Sequence, residues 1–168
     1  TAECGVWTGA GSYLICQANI ASKLERTHHI LDSFEGVSAP GDRDGTHWTQ
    51  GDLSCPLERV QENLSEFEKV AYYPGLIPDR FSDISDKKFA VVHIDVDLYE
   101  PSRDSIEFFY ARLSPGGILL CDDYGFSTCP GATQAFDEFL ADKPESAISL
   151  SGGGGFIIKD TETAANFL

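Results

Sequence analysis

Two short acidic stretches follow apolar runs in this chain. One is His93-Ile94-Asp95-Val96-Asp97, after Phe89-Ala90-Val91-Val92; the other is Cys121-Asp122-Asp123-Tyr124, after Gly117-Ile118-Leu119-Leu120. Short apolar runs of this kind read as buried strands. A carboxylate at the end of a buried strand is costly unless an opposite charge offsets it. Two strands ending this way point to one shared site, and a hard divalent cation, which takes oxygen ligands, suits it. Asp95, Asp122 and Asp123 form the candidate metal set, with Asp97, expected on the opposite strand face from Asp95, in a supporting part. His93 reads as a hydrogen-bonded core histidine, and His28-His29 as structural.

A second constellation lies near the start of the chain. Glu3-Cys4-Gly5-Val6-Trp7-Thr8-Gly9-Ala10-Gly11 is a glycine-rich turn between a strand and a helix. Glycines there let a ligand approach the backbone, and the helix start offers free N–H groups. The dinucleotide spacing G-x-G-x-x-G is absent. Asp32, ending the next strand, stands where a Rossmann-like fold holds ribose hydroxyls. A nucleoside-bearing cofactor without a diphosphate fits both features.

The elements that must position these residues alternate. Strands are expected at 2–6, 29–31, 70–73, 89–94 and 117–120. Helices are expected at about 11–24, from Ser54-Cys55-Pro56 through Phe67, at about 78–84, at 101–113 and at 131–140. Ser54 is the expected cap of the second helix, and 114–117 a tight turn. Residues 35–55 read as a long polar loop, a length often tied to function. Segments 147–150 and 156–159, joined through Gly152–Gly155, read as a closing antiparallel hairpin. Such alternation predicts an α/β fold, a doubly wound, mostly parallel, seven-stranded sheet. Ligands of such sheets sit beyond the C-terminal strand ends, where Gly5, Asp32, Asp95 and Asp122-Asp123 all fall.

At 168 residues the chain is expected to be one domain, 1–168. Its net charge of −15 argues against a nucleic-acid partner, which needs a basic footprint. Five cysteines without a Cys-x-x-Cys pair fit neither a disulfide framework nor a zinc site, and read as reduced cytoplasmic thiols. No run of about 20 apolar residues suggests a membrane span.

With these residues in view, the chain resembles the macrocin O-methyltransferase family, enzymes that use S-adenosylmethionine and Mg²⁺ to methylate sugar hydroxyls of macrolides and related antibiotics. The resemblance rests on Glu3-x-Gly5-Val6-Trp7-x-Gly9, Asp32-Ser33-Phe34-Glu35-Gly36, Asp95-x-Asp97-Leu98-Tyr99, Pro115-Gly116-Gly117, Asp122-Asp123-Tyr124-Gly125 and Cys129-Pro130-Gly131-Ala132. It implies the class I methyltransferase fold and a small-molecule hydroxyl acceptor, and leaves homo-oligomer formation open. By this resemblance Glu3 to Trp7, with Gly9, line the methionine end of the cofactor. Asp32, Ser33, Phe34, Glu35 and Gly36 hold its ribose and adenine side, with Gly75 near the adenine. Asp95, Asp122 and Asp123 bind the metal, and Asp95 accepts the proton of the hydroxyl to be methylated. Family members usually carry an N-terminal extension before the glycine turn, absent from this sequence. Two other readings remain at this point: a Mg²⁺-dependent phosphotransfer or hydrolase domain, and a non-catalytic cofactor-binding domain.

Overall fold

A computed structural model of the protein describes residues 1–160. Its frame is a seven-stranded sheet in the order β3-β2-β1-β4-β5-β7-β6. The strands are β1 (Ala2–Cys4), β2 (His28–Asp32), β3 (Val70–Pro74), β4 (Phe89–Ile94), β5 (Leu113–Cys121), β6 (Ile148–Ser149) and β7 (Gly155–Ile158). The helices are α1 (Ala10–Ala21), α2 (Leu57–Asn63), α3 (Tyr99–Tyr110) and α4 (Pro130–Leu140), with one 3-10 turn at Phe81–Ile84. Strands β1 to β5 pair in parallel; β7 runs antiparallel to both β5 and β6. The expected doubly wound sheet with an antiparallel closing pair is therefore present.

The sheet separates two cores because successive strand residues point to opposite faces. Leu31 joins Val92, Ile94, Leu119, Cys121 and Ile157 against Ile106 and Phe109 of α3 and Ala135 and Phe136 of α4. Its neighbour Ile30 faces the other way, onto Val60 of α2, Leu64 and Val6. Phe109 anchors the larger core, edge-on to Phe89 and Phe81 with centroids 5.0 and 5.6 Å away.

Four local expectations shift. The segment Ser114–Gly117 is part of β5 rather than a turn; the β4–β5 register slips between Phe89 and Val91, and Gly116 takes φ 75° there. The glycine absorbs a bulge that keeps the strand in the sheet. Helix α3 starts at Tyr99, two residues before Pro101; a first-turn N–H has no intrahelical partner, so proline costs nothing there. Pro56, not Ser54, caps α2, and no side chain bonds its free N–H groups. The helix expected at 78–84 is reduced to its last turn. Among the described residues, no helix is long and apolar enough to cross a membrane.

Candidate functional site

The strand order reverses beside β1, whose neighbours β2 and β4 lie on opposite sides. A crevice opens where the loops after adjacent strands part in opposite directions. Here it is a cavity of about 140 Å³, open to solvent, bounded by the loops that follow β1, β2 and β4. Gly5, Val6 and Trp7 form one wall, Asp32, Ser33 and Gly36 another, and Asp95, Val96 and Asp97 a third. Leu53, Leu76 and Ile77 add an apolar side.

The turn after β1 is shaped for close approach. Gly5 takes φ 76°, and a Cβ there would run into the main-chain carbonyl oxygen of Asp95. The Gly5 N–H donates to Leu31 O at 3.0 Å, and the Asp95 N–H to Cys4 O at 2.9 Å, so the loops leaving three strands are tied together. Asp32 closes the arrangement: its carboxylate accepts the N–H groups of Val6 (2.7 Å) and Phe34 (2.6 Å). A carboxylate offers about four acceptor positions, so others remain for a ligand. Left-handed backbone at a non-glycine residue is costly and clusters at functional sites. Trp7, Leu53 and Asp97 line the cavity with φ of 44°, 57° and 62°, and Phe34, at 59°, sits between lining residues Ser33 and Gly36.

The acidic strand ends converge in two adjoining groups. In the first, ligand atoms of His93, Asp95 and Asp122 lie within 4.8 Å of one another; in the second, those of Asp97, Asp123 and Cys129 do. The dipeptide Asp122-Asp123 is thus divided. Asp122 is half-exposed and faces His93 Nε2 at 3.5 Å. Asp123 is buried and accepts the Asp97 N–H at 2.8 Å. Asp97 in turn lies 3.6 Å from the Cys129 thiol, which accepts the Trp48 indole N–H at 3.4 Å.

Four carboxylates in so small a space repel one another. Burial, then Asp123 and Asp122, push the Asp95 carboxyl up to about 8. Burial, then Asp123, push Asp97 up to about 7, and burial raises Asp123 as well. Asp122 moves down instead, because it faces His93. Burial alone would lower the His93 imidazole, but Asp122 and Glu3 overrule it and hold it up at about 10.

The structure brings together most of the cofactor residues expected from the sequence and separates others. Gly5, Val6, Trp7, Asp32, Ser33 and Gly36 line the cavity. Glu3 does not. It is buried between α1 and β4, 1% exposed, where it accepts hydrogen bonds from Ser12 and from His93 Nδ1 (2.7 Å). His28 Nε2 meets the same Ser12 hydroxyl at 2.9 Å. Gly9 is instead the left-handed cap of α1, packed on Val60 and Leu64. Phe34 turns its ring into the smaller core. Glu35 is exposed outside the cavity, and Gly75 bonds Asp32 O beside the lining residue Leu76. The residues missed are Asp97 as a full member of the cluster, Cys129 and Trp48 behind it, and Leu53, Leu76 and Ile77. Asp97 carried a signal: it lies two residues after Asp95, on the same face of any continuing strand.

This geometry has relatives. A family model described as Macrocin-O-methyltransferase (TylF) matches residues 1–146. An 8-demethyl-8-(2,3-dimethoxy-alpha-L-rhamnosyl)-tetracenomycin-C 4'-O-methyltransferase of Streptomyces olivaceus is 33% identical over 147 residues, covering 80% of this chain and 56% of its own. A demethyldecarbamoylnovobiocin O-methyltransferase of Streptomyces niveus is 31% identical, covering 83% of this chain and 57% of its own. The chain thus spans little more than half the length of these relatives. Among solved structures, the O-methyltransferase NovP superposes with a TM-score of 0.81 at 26% identity, over 95% of this chain and 71% of that one. An O-methyltransferase from Bacillus cereus in complex with SAH shares the fold, with a TM-score of 0.61 at 17% identity over 94% of this chain and 73% of that one.

Proposed function

The chain belongs to the macrocin O-methyltransferase family, and from that premise we propose that it methylates a sugar hydroxyl of a natural product. The methyl donor is S-adenosylmethionine, and a divalent cation, Mg²⁺ by the family resemblance, sits at the acidic strand ends. One observation carries this reading: a single cavity joins the glycine turn and Asp32 to Asp95 and Asp97. A nucleoside cofactor lying along β1 would therefore end at the carboxylates.

The residues fit both absent groups. Gly5 lets the cofactor lie against the backbone, Asp32 offers its remaining lone pairs to ribose hydroxyls, and Leu53, Leu76 and Ile77 offer an apolar slot for a base. For the cation, the fit is the crowding of four carboxylates, two of them pushed up to about 8 and 7 by burial and mutual repulsion. Such a cluster favours a positive charge. Asp95 and Asp122 are the residues that would hold it, with Asp123 adjoining.

When bound, the cation would lower the pKa of a coordinated hydroxyl and the sulfonium would supply the methyl group. The chain's own residues do the rest. Asp97 lines the cavity outside the His93 group, so we assign it, rather than Asp95, the proton of the acceptor. A base poised near neutral pH suits that task. Asp123 fixes the Asp97 backbone through its N–H. The cavity walls would hold donor and acceptor together, and such positioning supplies much of the acceleration. The sugar acceptor comes from the relatives, one of which is named for a rhamnosyl substrate. Five unpaired, buried thiols support a cytoplasmic location.

The test is calorimetric titration with S-adenosylhomocysteine, followed by methyl transfer to glycosylated polyketides bearing free sugar hydroxyls. The expected result is a single site that weakens at least about tenfold, or 1.4 kcal/mol, in Asp32→Ala. Unchanged affinity in that variant removes the ribose assignment, and binding without transfer to any acceptor leaves a cofactor-binding domain.

A further inference from the structure

His93 lies at the end of β4 behind the acidic cluster, and its two nitrogens meet very different surroundings. Nδ1 is 2.7 Å from Glu3 Oε1. Glu3 is buried and already accepts from the Ser12 hydroxyl, so it meets Nδ1 as an acceptor. It therefore keeps a proton on Nδ1 and fixes the ring orientation. Nε2 is sealed from solvent yet has no hydrogen-bond partner among the described residues. Asp122 Oδ1, 3.5 Å away, is an ion-pair neighbour and not a hydrogen-bond acceptor. A buried polar atom without a partner needs a physical reason.

The surroundings supply one. A carboxylate on one nitrogen with the other aimed at a ligand set is how metal-binding histidines are held; the carboxylate sets the tautomer and raises the basicity of the free nitrogen. Atoms around a small divalent ion at about 2.1 Å lie roughly 3–4 Å apart. The Nε2–Oδ1 separation already falls in that range, and Asp95 completes a set within 4.8 Å.

We propose that His93 Nε2 is a ligand of the cation alongside Asp95 and Asp122, so that the site binds transition ions such as Mn²⁺ and Co²⁺ more tightly than Mg²⁺. The chemistry follows from the donor: imidazole nitrogen suits borderline first-row ions, whereas Mg²⁺ prefers oxygen and keeps its waters. The proposal rests on reading the acidic strand ends as a cation site, and not on the identity of the acceptor. It makes Glu3 a positioning residue, acting on the ion through His93.

The experiment uses the purified chain, with Mg²⁺, Mn²⁺ and Co²⁺ titrated separately by calorimetry and Co²⁺ also followed by its visible absorption. The wild type is expected to bind Co²⁺ at least about tenfold more tightly than Mg²⁺. His93→Gln, which can still donate to Glu3, is expected to lose at least about tenfold in Co²⁺ affinity with little change in Mg²⁺ affinity, and its Co²⁺ spectrum should become that of an all-oxygen site. A purely structural histidine would not move that selectivity. Pulsed electron paramagnetic resonance of the Mn²⁺-loaded wild type gives a result that needs no variant: a directly coordinated ¹⁴N supports the proposal, and its absence overturns it. Co²⁺ affinity and spectrum unchanged in His93→Gln also overturn it. Wild type that binds no ion, or Asp122→Asn that binds all three as well as wild type, instead overturns the cation site itself.

Discussion

Neutralising Asp95 should make the metal-free protein more stable, and increasingly so as the pH rises. The Asp95 carboxyl stands at about 8 in the folded chain, against an ordinary value of 3.8. Between these values the folded state holds a proton that the unfolded state has lost. Stability then falls with rising pH across that window, by about 1.4 kcal/mol per unit. Four units set a ceiling of about 6 kcal/mol; allowing for water at a half-buried group and for charge shared with Asp97, about 3 kcal/mol is the working figure. Asp95→Asn keeps the shape and removes the charge, so it should match wild type near pH 4 and exceed it by that amount at pH 8.5. A small opposing effect comes from His93, which loses one of the carboxylates favouring its protonated form. Urea unfolding in EDTA at both pH values measures the gap; with a slope of about 2 kcal/mol per molar, the midpoint should rise by roughly 1–2 M at pH 8.5. Saturating Mg²⁺ should recover much of this stability in wild type and little of it in the variant. A variant no more stable than wild type at pH 8.5, or a gap that does not shrink towards pH 4, would refute the account of the cluster as stored repulsion.

Two further outcomes follow from the turn and from the buried side of β1. Gly5→Ala meets both a positive φ and the Asp95 carbonyl, so it should cost at least about 3 kcal/mol in urea unfolding and abolish S-adenosylhomocysteine binding; a near-native midpoint would show that the β1 turn does not need glycine. Glu3 is held down at about 2 from an ordinary value of 4.5, so its contribution is present above pH 4.5 and lost as the pH falls towards 2. Glu3→Gln should therefore lower stability at pH 7 by about 3 kcal/mol and flatten that acid limb, and an unaltered acid transition would exclude Glu3 as its source.

What the sequence revealed, and what it hid, divides along one physical line. The sheet was legible because each strand is a local apolar run, and the site was legible in outline because strand ends are local too: Asp32, Asp95, Asp122 and Gly5 each follow their own strand. The partners of those residues are not local. Glu3 and His93 are ninety residues apart and meet because β1 pairs with β4 in the register Glu3↔His93. Two residues in register across a strand pair share a face, so the pairing both joins them and takes Glu3 away from the cavity. Nothing in Ala2-Glu3-Cys4 says which face will carry α1 and which the larger core. The same holds for Trp48, Cys129 and Asp97, united only when the 35–55 loop reaches the start of α4. Even the split of Asp122 from Asp123 has this origin: neighbours leaving a strand diverge, and each takes its role from what the sheet places beside it. Asp122 is set against a histidine, and Asp123 against the backbone of Asp97. Two chemically identical side chains acquire opposite shifts, Asp122 drawn down by His93 and Asp123 pushed up by burial despite the Asp97 N–H, so replacing either one tests a different half of the site.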